Sequence, residues 1–196
     1  YTVTSDSDDD CTTTIDIEVF ELPEVTATVD DEVICLGDTI TLTGDGTATE
    51  YAWDPEEVVD GEFFVPETAG SLTYTVTGTD DNGCEDEDDI TVTVNALPEV
   101  VAEVNDDEIC LGEEVIFTGA GAETYSWDPE EVEDGAGYTP DETATYTVWG
   151  TDANGCENMA SIDVTVYPAL EITYTTTDEM FGADGEIDIT VTGGNL

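Results

Sequence analysis

The residues of this 196-residue chain with the clearest chemistry are its five cysteines. Cys35 and Cys84 recur as Cys110 and Cys156 at matching points of a repeated sequence, and Cys11 falls in a partial copy. Cysteine pairs that recur in small modules are typical of disulfides formed in an oxidising compartment. The cysteines therefore predict an extracellular or cell-surface protein, in which Cys11 pairs with a residue outside the chain.

Two pairings of the four repeated cysteines fit the sequence. The favoured pairing places one disulfide within each repeat, Cys35–Cys84 and Cys110–Cys156, because both cysteines recur together. Each bond would close a loop of roughly 50 residues and contribute roughly 4 kcal/mol in the chain-entropy model. The alternative is Cys35–Cys156. In an immunoglobulin-like sandwich the first turn of one module faces the last hairpin of the next, which would bring these two cysteines together.

The chain carries 51 acidic residues and no lysine, arginine or histidine, so its formal net charge is −51. Because it has no cationic side chain to neutralise phosphate groups, we expect no nucleic-acid partner and no attachment to anionic lipid. We also expect no direct membrane insertion. Histidine-based acid–base chemistry and histidine metal sites are excluded. The sequence has no Ser–His, Cys–His or phosphate-binding pattern, and with so many acids the proximity of two carboxylates is uninformative. We therefore predict that the protein is not an enzyme.

Two explanations of the charge remain open. Acidic surfaces are typical of halophilic proteins, whose carboxylates hold hydrated cations while salt screens their repulsion. Alternatively, the acidic clusters in predicted loops bind Ca²⁺, which prefers oxygen ligands. No cofactor is required, and a role as solvated turn residues is the favoured interpretation of these clusters. The candidate Ca²⁺ ligands are Asp30, Asp31, Glu32, Asp80, Asp81, Asp106, Asp107, Asp152 and Asn154.

The elements that position these residues belong to a repeat of about 75 residues, near the smallest size at which a module buries an adequate core. Leu22–Val25 returns as Leu97–Val100, and Tyr51–Val58 returns as Tyr125–Val132. Tandem copies favour a protein that presents or connects other parts over one with a single catalytic pocket. We expect the chain to be a window on a longer protein. Its predicted parts are the end of a preceding repeat (1–21), two complete repeats (22–96 and 97–168) and the start of a further repeat (169–196).

Apolar and polar residues alternate along almost every segment, as in half-buried β-strands, and no window has helical periodicity. The Asn-Gly pairs at 82–83 and 154–155 are type I′ hairpin signals between the last two strands of each repeat. Trp53 and Trp127 are predicted to fill the core from the third strand, with carbohydrate stacking as the less favoured alternative. Six or seven strands around one tryptophan predict an immunoglobulin-like β-sandwich. Pro98 stiffens the short linker between the repeats, which predicts an elongated rod.

Three segments of the first repeat, Cys35–Thr43, Tyr51–Trp53 and Tyr74–Cys84, have counterparts in the second. They resemble the PKD-like and Ig-like repeats of Bacteroidota surface proteins. The segment from Ile172 to Gly194 is similar to the start of an SprB-type repeat, which is named for a gliding-motility adhesin. The fold that this resemblance implies is all-β, with tandem immunoglobulin-like (PKD-like) β-sandwich modules. The chain departs from these families in its charge, since their members carry some lysine and arginine.

The resemblance implies a very long protein that is exported by the type IX secretion system and displayed on the cell surface. Its function would be that of a structural stalk of an adhesin or extracellular filament, in adhesion or gliding motility. Its partners would be neighbouring repeats, other copies in a filament, and an extracellular surface or glycan. Asp38-Thr39-Ile40 also resembles the Bacteroidota O-glycosylation pattern, which makes Thr39 a candidate glycosylation site.

Two alternative functions stay open. One is a carbohydrate-binding or accessory module of a secreted enzyme, which would need exposed aromatic platforms. The candidates for such platforms are Phe63, Phe64, Tyr138 and Trp149. The other is a Ca²⁺-dependent module that adheres to copies of itself.

Overall fold

The computed structural model describes residues 2–4, 12–14, 17–177 and 186–194. Within these residues the chain is all-β and contains no helix, which confirms the all-β part of the predicted fold class. Cys11 lies outside the described residues, so its expected pairing stays a prediction. The chain divides into two compact units, residues 1–95 and 96–196. One complete sequence repeat lies in each unit.

Seven strands form the sandwich of the first unit, and a short pair of antiparallel strands precedes them. The pair consists of β1 (Thr2–Thr4) and β2 (Thr12–Thr14). The sandwich strands are β3 (Val25–Val29), β4 (Val33–Cys35), β5 (Ile40–Gly46), β6 (Glu50–Asp54), β7 (Phe63–Phe64), β8 (Gly70–Thr79) and β9 (Glu85–Asn95).

These strands make a three-stranded sheet, in the order β3-β5-β7, and a four-stranded sheet, in the order β4-β9-β8-β6. All neighbours are antiparallel except β4, which runs parallel to the end of β9. One cluster of buried side chains draws on both sheets, for example Leu42 from β5 and Val92 from β9. The first unit is therefore a two-layer β-sandwich with its core between the sheets.

The second unit repeats this arrangement, with sheets in the orders β10-β12-β14 and β11-β16-β15-β13. The parallel pair of this unit is β11 with β16. An antiparallel hairpin of β17 and β18 completes the unit. The strands are β10 (Val101–Val104), β11 (Glu108–Cys110), β12 (Val115–Ala120), β13 (Thr124–Asp128), β14 (Gly137–Tyr138), β15 (Ala144–Thr151), β16 (Glu157–Tyr167), β17 (Glu171–Thr177) and β18 (Glu186–Thr192).

The alternation read from the sequence orients the side chains correctly. Ile40 and Leu42 on β5 are fully buried, while Thr41 between them is half-buried on the outer side. Trp53 is 6% exposed and Trp127 is 4% exposed, so both fill the core as predicted. They lie on the fourth strand of the sandwich rather than the third, because the short strand β4 or β11 is inserted before them.

The last two sandwich strands of each unit form the predicted hairpin, but not with a two-residue type I′ turn. The N–H of Gly83 donates to the carbonyl of Asp80 over 3.0 Å, and the N–H of Asp80 donates to the carbonyl of Cys84 over 3.0 Å. Gly83 has φ of 78°, which places it in the left-handed region. This pattern belongs to a longer loop, in which a turn is followed by a left-handed glycine.

Candidate functional site

The four repeated cysteines are in two chemical states. Cys35 and Cys156 are disulfide-bonded, whereas Cys84 and Cys110 carry free thiols. The favoured pairings, Cys35–Cys84 and Cys110–Cys156, are therefore wrong, because each of them contains a free cysteine. The observed states match the alternative pairing, a Cys35–Cys156 disulfide. A disulfide indicates an oxidising, extracellular environment.

Asp80 and Asp152, two of the candidate Ca²⁺ ligands, organise the hairpin loops in which they lie. The Oδ1 atom of Asp80 accepts hydrogen bonds from the backbone N–H groups of Asn82 and Cys84, each at 2.8 Å. Asp152 accepts the equivalent bonds within its own loop, at 2.8 and 2.9 Å. The carboxylates thus satisfy N–H groups that the turn would otherwise leave without a partner.

Asp30 does the same at the start of β5. Its Oδ1 accepts from the backbone N–H of Thr41 at 2.8 Å and from that of Asp31 at 3.0 Å. The matching residue in the second unit is Asn105, whose Oδ1 accepts from the N–H of Ile116 at 2.6 Å. Since an uncharged amide fills the same place, the shared requirement is an acceptor oxygen rather than a negative charge.

The remaining candidate ligands do not assemble into a site. All six are exposed, namely Asp31, Glu32, Asp81, Asp106, Asp107 and Asn154. Asp106 accepts a 3.2 Å bond from the N–H of Glu108, and Asn154 donates its side-chain amide to Asp152. In the part of the chain that the structure describes, no three acidic or cysteine side chains are placed to hold a metal ion. The candidate ligands are therefore not gathered into one group there, and Ca²⁺ binding stays the less favoured alternative.

The hydrogen bonds in these loops shift acid–base equilibria. The pKa values of Asp30, Asp80 and Asp152 are lowered, because the N–H groups stabilise the carboxylate form. The largest contribution comes from one backbone N–H in each case: that of Thr41 for Asp30, of Cys84 for Asp80 and of Cys156 for Asp152. These shifts accompany the hydrogen bonds that form the turns.

Thr39 is exposed, in the position expected of a glycosylation acceptor. The neighbouring Asp38 uses its Oδ2 to accept a 3.0 Å bond from the N–H of Cys35. Asp38 therefore has a structural role in the turn between β4 and β5. Glycosylation of Thr39 stays a prediction.

The aromatic residues divide into core and surface groups. The buried indole N–H of Trp53 donates to Oδ1 of Asp60 at 3.0 Å, and that of Trp127 donates to Asp134 at 3.1 Å. These tryptophans are core residues, so carbohydrate stacking on them is ruled out. Of the four candidate platforms, Phe63 is 81% exposed and Trp149 is 37% exposed. The other two, Phe64 and Tyr138, are half-buried.

A cavity of about 510 Å³ opens in the first unit, and sequence reasoning did not find it. Its apolar lining includes Phe64, Pro66 and Leu72, and the buried Tyr74 also contributes to it. The exposed Glu57 and Glu67 bring carboxylates to its edge. A volume of this size is typical of small-molecule sites. The one signal in the sequence is that the second repeat has Tyr138 where the first has Phe64.

Comparison with known proteins adds no relative. Neither a protein-family model nor a curated protein sequence matches this chain. Among the described residues, no helix is long and apolar enough to span a membrane.

Proposed function

We propose that this chain is a section of the structural stalk of a cell-surface adhesin or extracellular filament, built from immunoglobulin-like modules. The observation that carries the proposal is the repetition of one sandwich in tandem, down to individual polar contacts. The pair Trp53–Asp60 of the first unit has its counterpart in Trp127–Asp134 of the second. The two units therefore share the contacts that hold the sandwich together, as expected of a protein whose role is to stack copies of one structural module.

The resemblance to Bacteroidota surface repeats supports the same role. Export to the cell surface agrees with the oxidising environment that a disulfide indicates. The net charge of −51 makes copies of this chain repel one another and repel anionic lipids in the absence of bridging cations.

The cysteine states suggest how a stalk would be held together. In the alternative pairing, the first cysteine of one repeat (Cys35) bonds to the second cysteine of the next repeat (Cys156). The free thiols, Cys110 and Cys84, are the counterparts of these two residues. Under the proposal they are the positions at which further copies of the repeat would continue the same series of disulfides.

Small-angle X-ray scattering of the whole chain tests the shape. We expect a radius of gyration well above roughly 16 Å, which is the value for a compact domain of 196 residues. The Cys35→Ser variant is the matched control, and it should broaden the distance distribution without unfolding either unit. A compact, near-spherical particle would contradict the stalk.

Immunogold labelling of intact source cells with antibodies to this chain tests the location. Label arranged along surface fibres is the expected result, and label confined to the cell interior would overturn the proposal.

A second candidate, a carbohydrate-binding module, is favoured by the exposure of Phe63 on β7. A flat exposed ring can stack on a sugar face. A glycan array probed with the chain and with Phe63→Ala separates the two candidates, since a stalk section gives no signal that depends on Phe63.

A further inference from the structure

The cavity of the first unit contains a polar group that the protein leaves unused. Tyr74 is 3% exposed and lines the cavity. Its hydroxyl makes no hydrogen bond to the residues that the structure describes. No fully enclosed side-chain oxygen among those residues lacks a partner. The hydroxyl of Tyr74 is therefore not fully enclosed, and the residue lies in the wall of the cavity.

The second unit has a different residue at the position of Phe64. There Tyr138 replaces Phe64 and packs edge-on against Tyr146 with ring centroids 5.9 Å apart, as Phe64 packs against Tyr74 at 5.8 Å. Burial raises the pKa of Tyr74, and burial is also the largest cause for Tyr146, whose pKa the neighbouring Tyr138 helps to raise to about 12. Tyr138 thus brings a second hydroxyl-bearing ring against Tyr146, whereas Phe64 brings a ring without a hydroxyl against Tyr74.

The charges around the cavity restrict the class of ligand. Glu57 and Glu67 supply carboxylates, and the chain has no lysine, arginine or histidine to balance them. An anionic ligand would meet uncompensated repulsion. A ligand with a positive head group supplies the missing charge, and the rings of Phe64 and Tyr74 add cation–π attraction. An apolar stem on the same ligand would pack against Leu72 and Pro66.

We propose that this cavity binds an alkylammonium or alkylguanidinium group, with its charge at Glu57 and Glu67, a hydrogen bond to the Tyr74 hydroxyl, and its stem against Leu72 and Pro66. Such a group belongs either to a free amine or to a lysine or arginine side chain of a basic protein segment. The site is independent of the stalk role and is built into the first unit alone.

Site-resolved NMR titration of the whole chain tests the proposal, with two probes at 0.15 M salt so that diffuse attraction to the acidic surface is screened. The probes are 1,5-diaminopentane and the peptide acetyl-Gly-Lys-Gly-amide. We expect saturable shifts at Leu72 and Tyr74. Tighter binding of the peptide would identify a protein segment as the source, and tighter binding of the diamine would identify a free amine.

Two substitutions should weaken binding about tenfold each, the loss expected when one charged hydrogen bond is removed. They are Glu67→Gln and Tyr74→Phe. A third, Phe64→Tyr, copies the second unit, and it should weaken binding by adding a second hydroxyl to the cavity wall beside Tyr74. The matched controls Tyr146→Phe and Glu103→Gln lie in the second unit and should leave the affinity unchanged.

Three results would overturn the inference. The first is a set of shifts spread over acidic residues of both units and unaffected by Phe64→Tyr, which denotes diffuse cation attraction. The second is saturable binding of methyl β-glucoside at the cavity without binding of either amine. The third is the absence of any shift at Leu72 and Tyr74 while the unsubstituted chain is folded.

Discussion

Trp53 and Asp60 are joined across the first sandwich by a 3.0 Å hydrogen bond from the indole N–H to Oδ1. The same Oδ1 also accepts the backbone N–H of Gly44 at 2.6 Å. One carboxylate oxygen therefore satisfies a buried side chain of β6 and a backbone donor of β5. Since β5 and β6 belong to different sheets, Asp60 ties the two layers of the sandwich together.

Replacing Asp60 by alanine should destabilise the first unit by about 2 kcal/mol, because two partly buried N–H groups lose their acceptor. Asp60→Asn keeps an oxygen at the same place and should cost clearly less. Urea unfolding followed by tryptophan fluorescence measures both variants. Equal losses for alanine and asparagine would contradict the role assigned to the acceptor oxygen.

The hairpin aspartates predict a specific response to acid. Because the folded-state pKa of Asp80 is lowered, its bonds contribute fully above the ordinary aspartate pKa of about 3.9. The contribution is lost as the pH falls through the lower folded-state value. We expect Asp80→Ala to lower the unfolding temperature at pH 7, and the difference from the unsubstituted protein to shrink below pH ~4.

Asp81→Ala is the control for this experiment, since Asp81 is an exposed neighbour in the same loop. Removing it should leave the unfolding temperature unchanged or raise it slightly by easing repulsion. A loss for Asp81→Ala as large as that for Asp80→Ala would show that the loop depends on charge in general.

Peptide mapping should verify the disulfide. Trypsin has no lysine or arginine at which to cut, so a glutamate-specific protease is needed. Without reduction, we expect a linked pair of peptides that carries Cys35 and Cys156, and alkylation of Cys84 and Cys110. Recovery of a Cys35–Cys84 linked pair would refute the assignment.

The stability of the chain should depend on ionic strength rather than on Ca²⁺. The repulsion within a charge of −51 falls as salt shortens the Debye length to about 10 Å at 0.1 M. The unfolding temperature should therefore rise with NaCl and should be unaffected by EDTA. A fall in EDTA that CaCl₂ restores, at matched ionic strength, would instead reveal a calcium site.

The core of the second unit offers a graded test of packing. Phe117 is fully buried, with its ring centroid 4.4 Å from that of Tyr146. Phe117→Ala should cost about 3–5 kcal/mol through the cavity it leaves. Phe117→Leu, which copies Leu42 of the first unit, should cost roughly 1 kcal/mol. If calorimetry finds Phe117→Leu less stable than Phe117→Ala, the two cores are not equivalent at this position.

The strands and the core could be predicted from the sequence because they depend on local patterns. Alternation along β5 determines which side chains face the core, and a recurring tryptophan indicates a buried residue. The pairing of Cys35 could not be settled in this way, since recurrence in sequence does not reveal which sulfur atoms meet. The prediction of a type I′ turn was wrong for a related reason. The Asp80 side chain accepts backbone N–H groups of the loop, and the Asn-Gly pattern does not indicate this.

The chemistry of the cavity escaped prediction because it depends on the surroundings of one atom, the hydroxyl oxygen of Tyr74. The alternation along β8 correctly places Tyr74 in the core, but it does not say what its hydroxyl meets. Residue 64 on another strand packs against this ring, and phenylalanine and tyrosine are equally compatible with the pattern there. The structural role of Asp80 and Asp152 also escaped prediction, because the sequence does not show that their carboxylates accept backbone N–H groups of their own loops.

The parallel pairing of β4 with β9 has a mechanical consequence. The N–H of Thr93 donates to the carbonyl of Glu32, and the N–H of Leu36 donates to the carbonyl of Asn95, each at 2.8 Å. These bonds join an early segment of the unit to its last strand, and the two run in the same direction. Tension that pulls the two ends of a unit apart would load all of these bonds together in shear instead of opening them one at a time. The parallel strand pair of each unit, β4 with β9 and β11 with β16, should therefore resist extension of the chain.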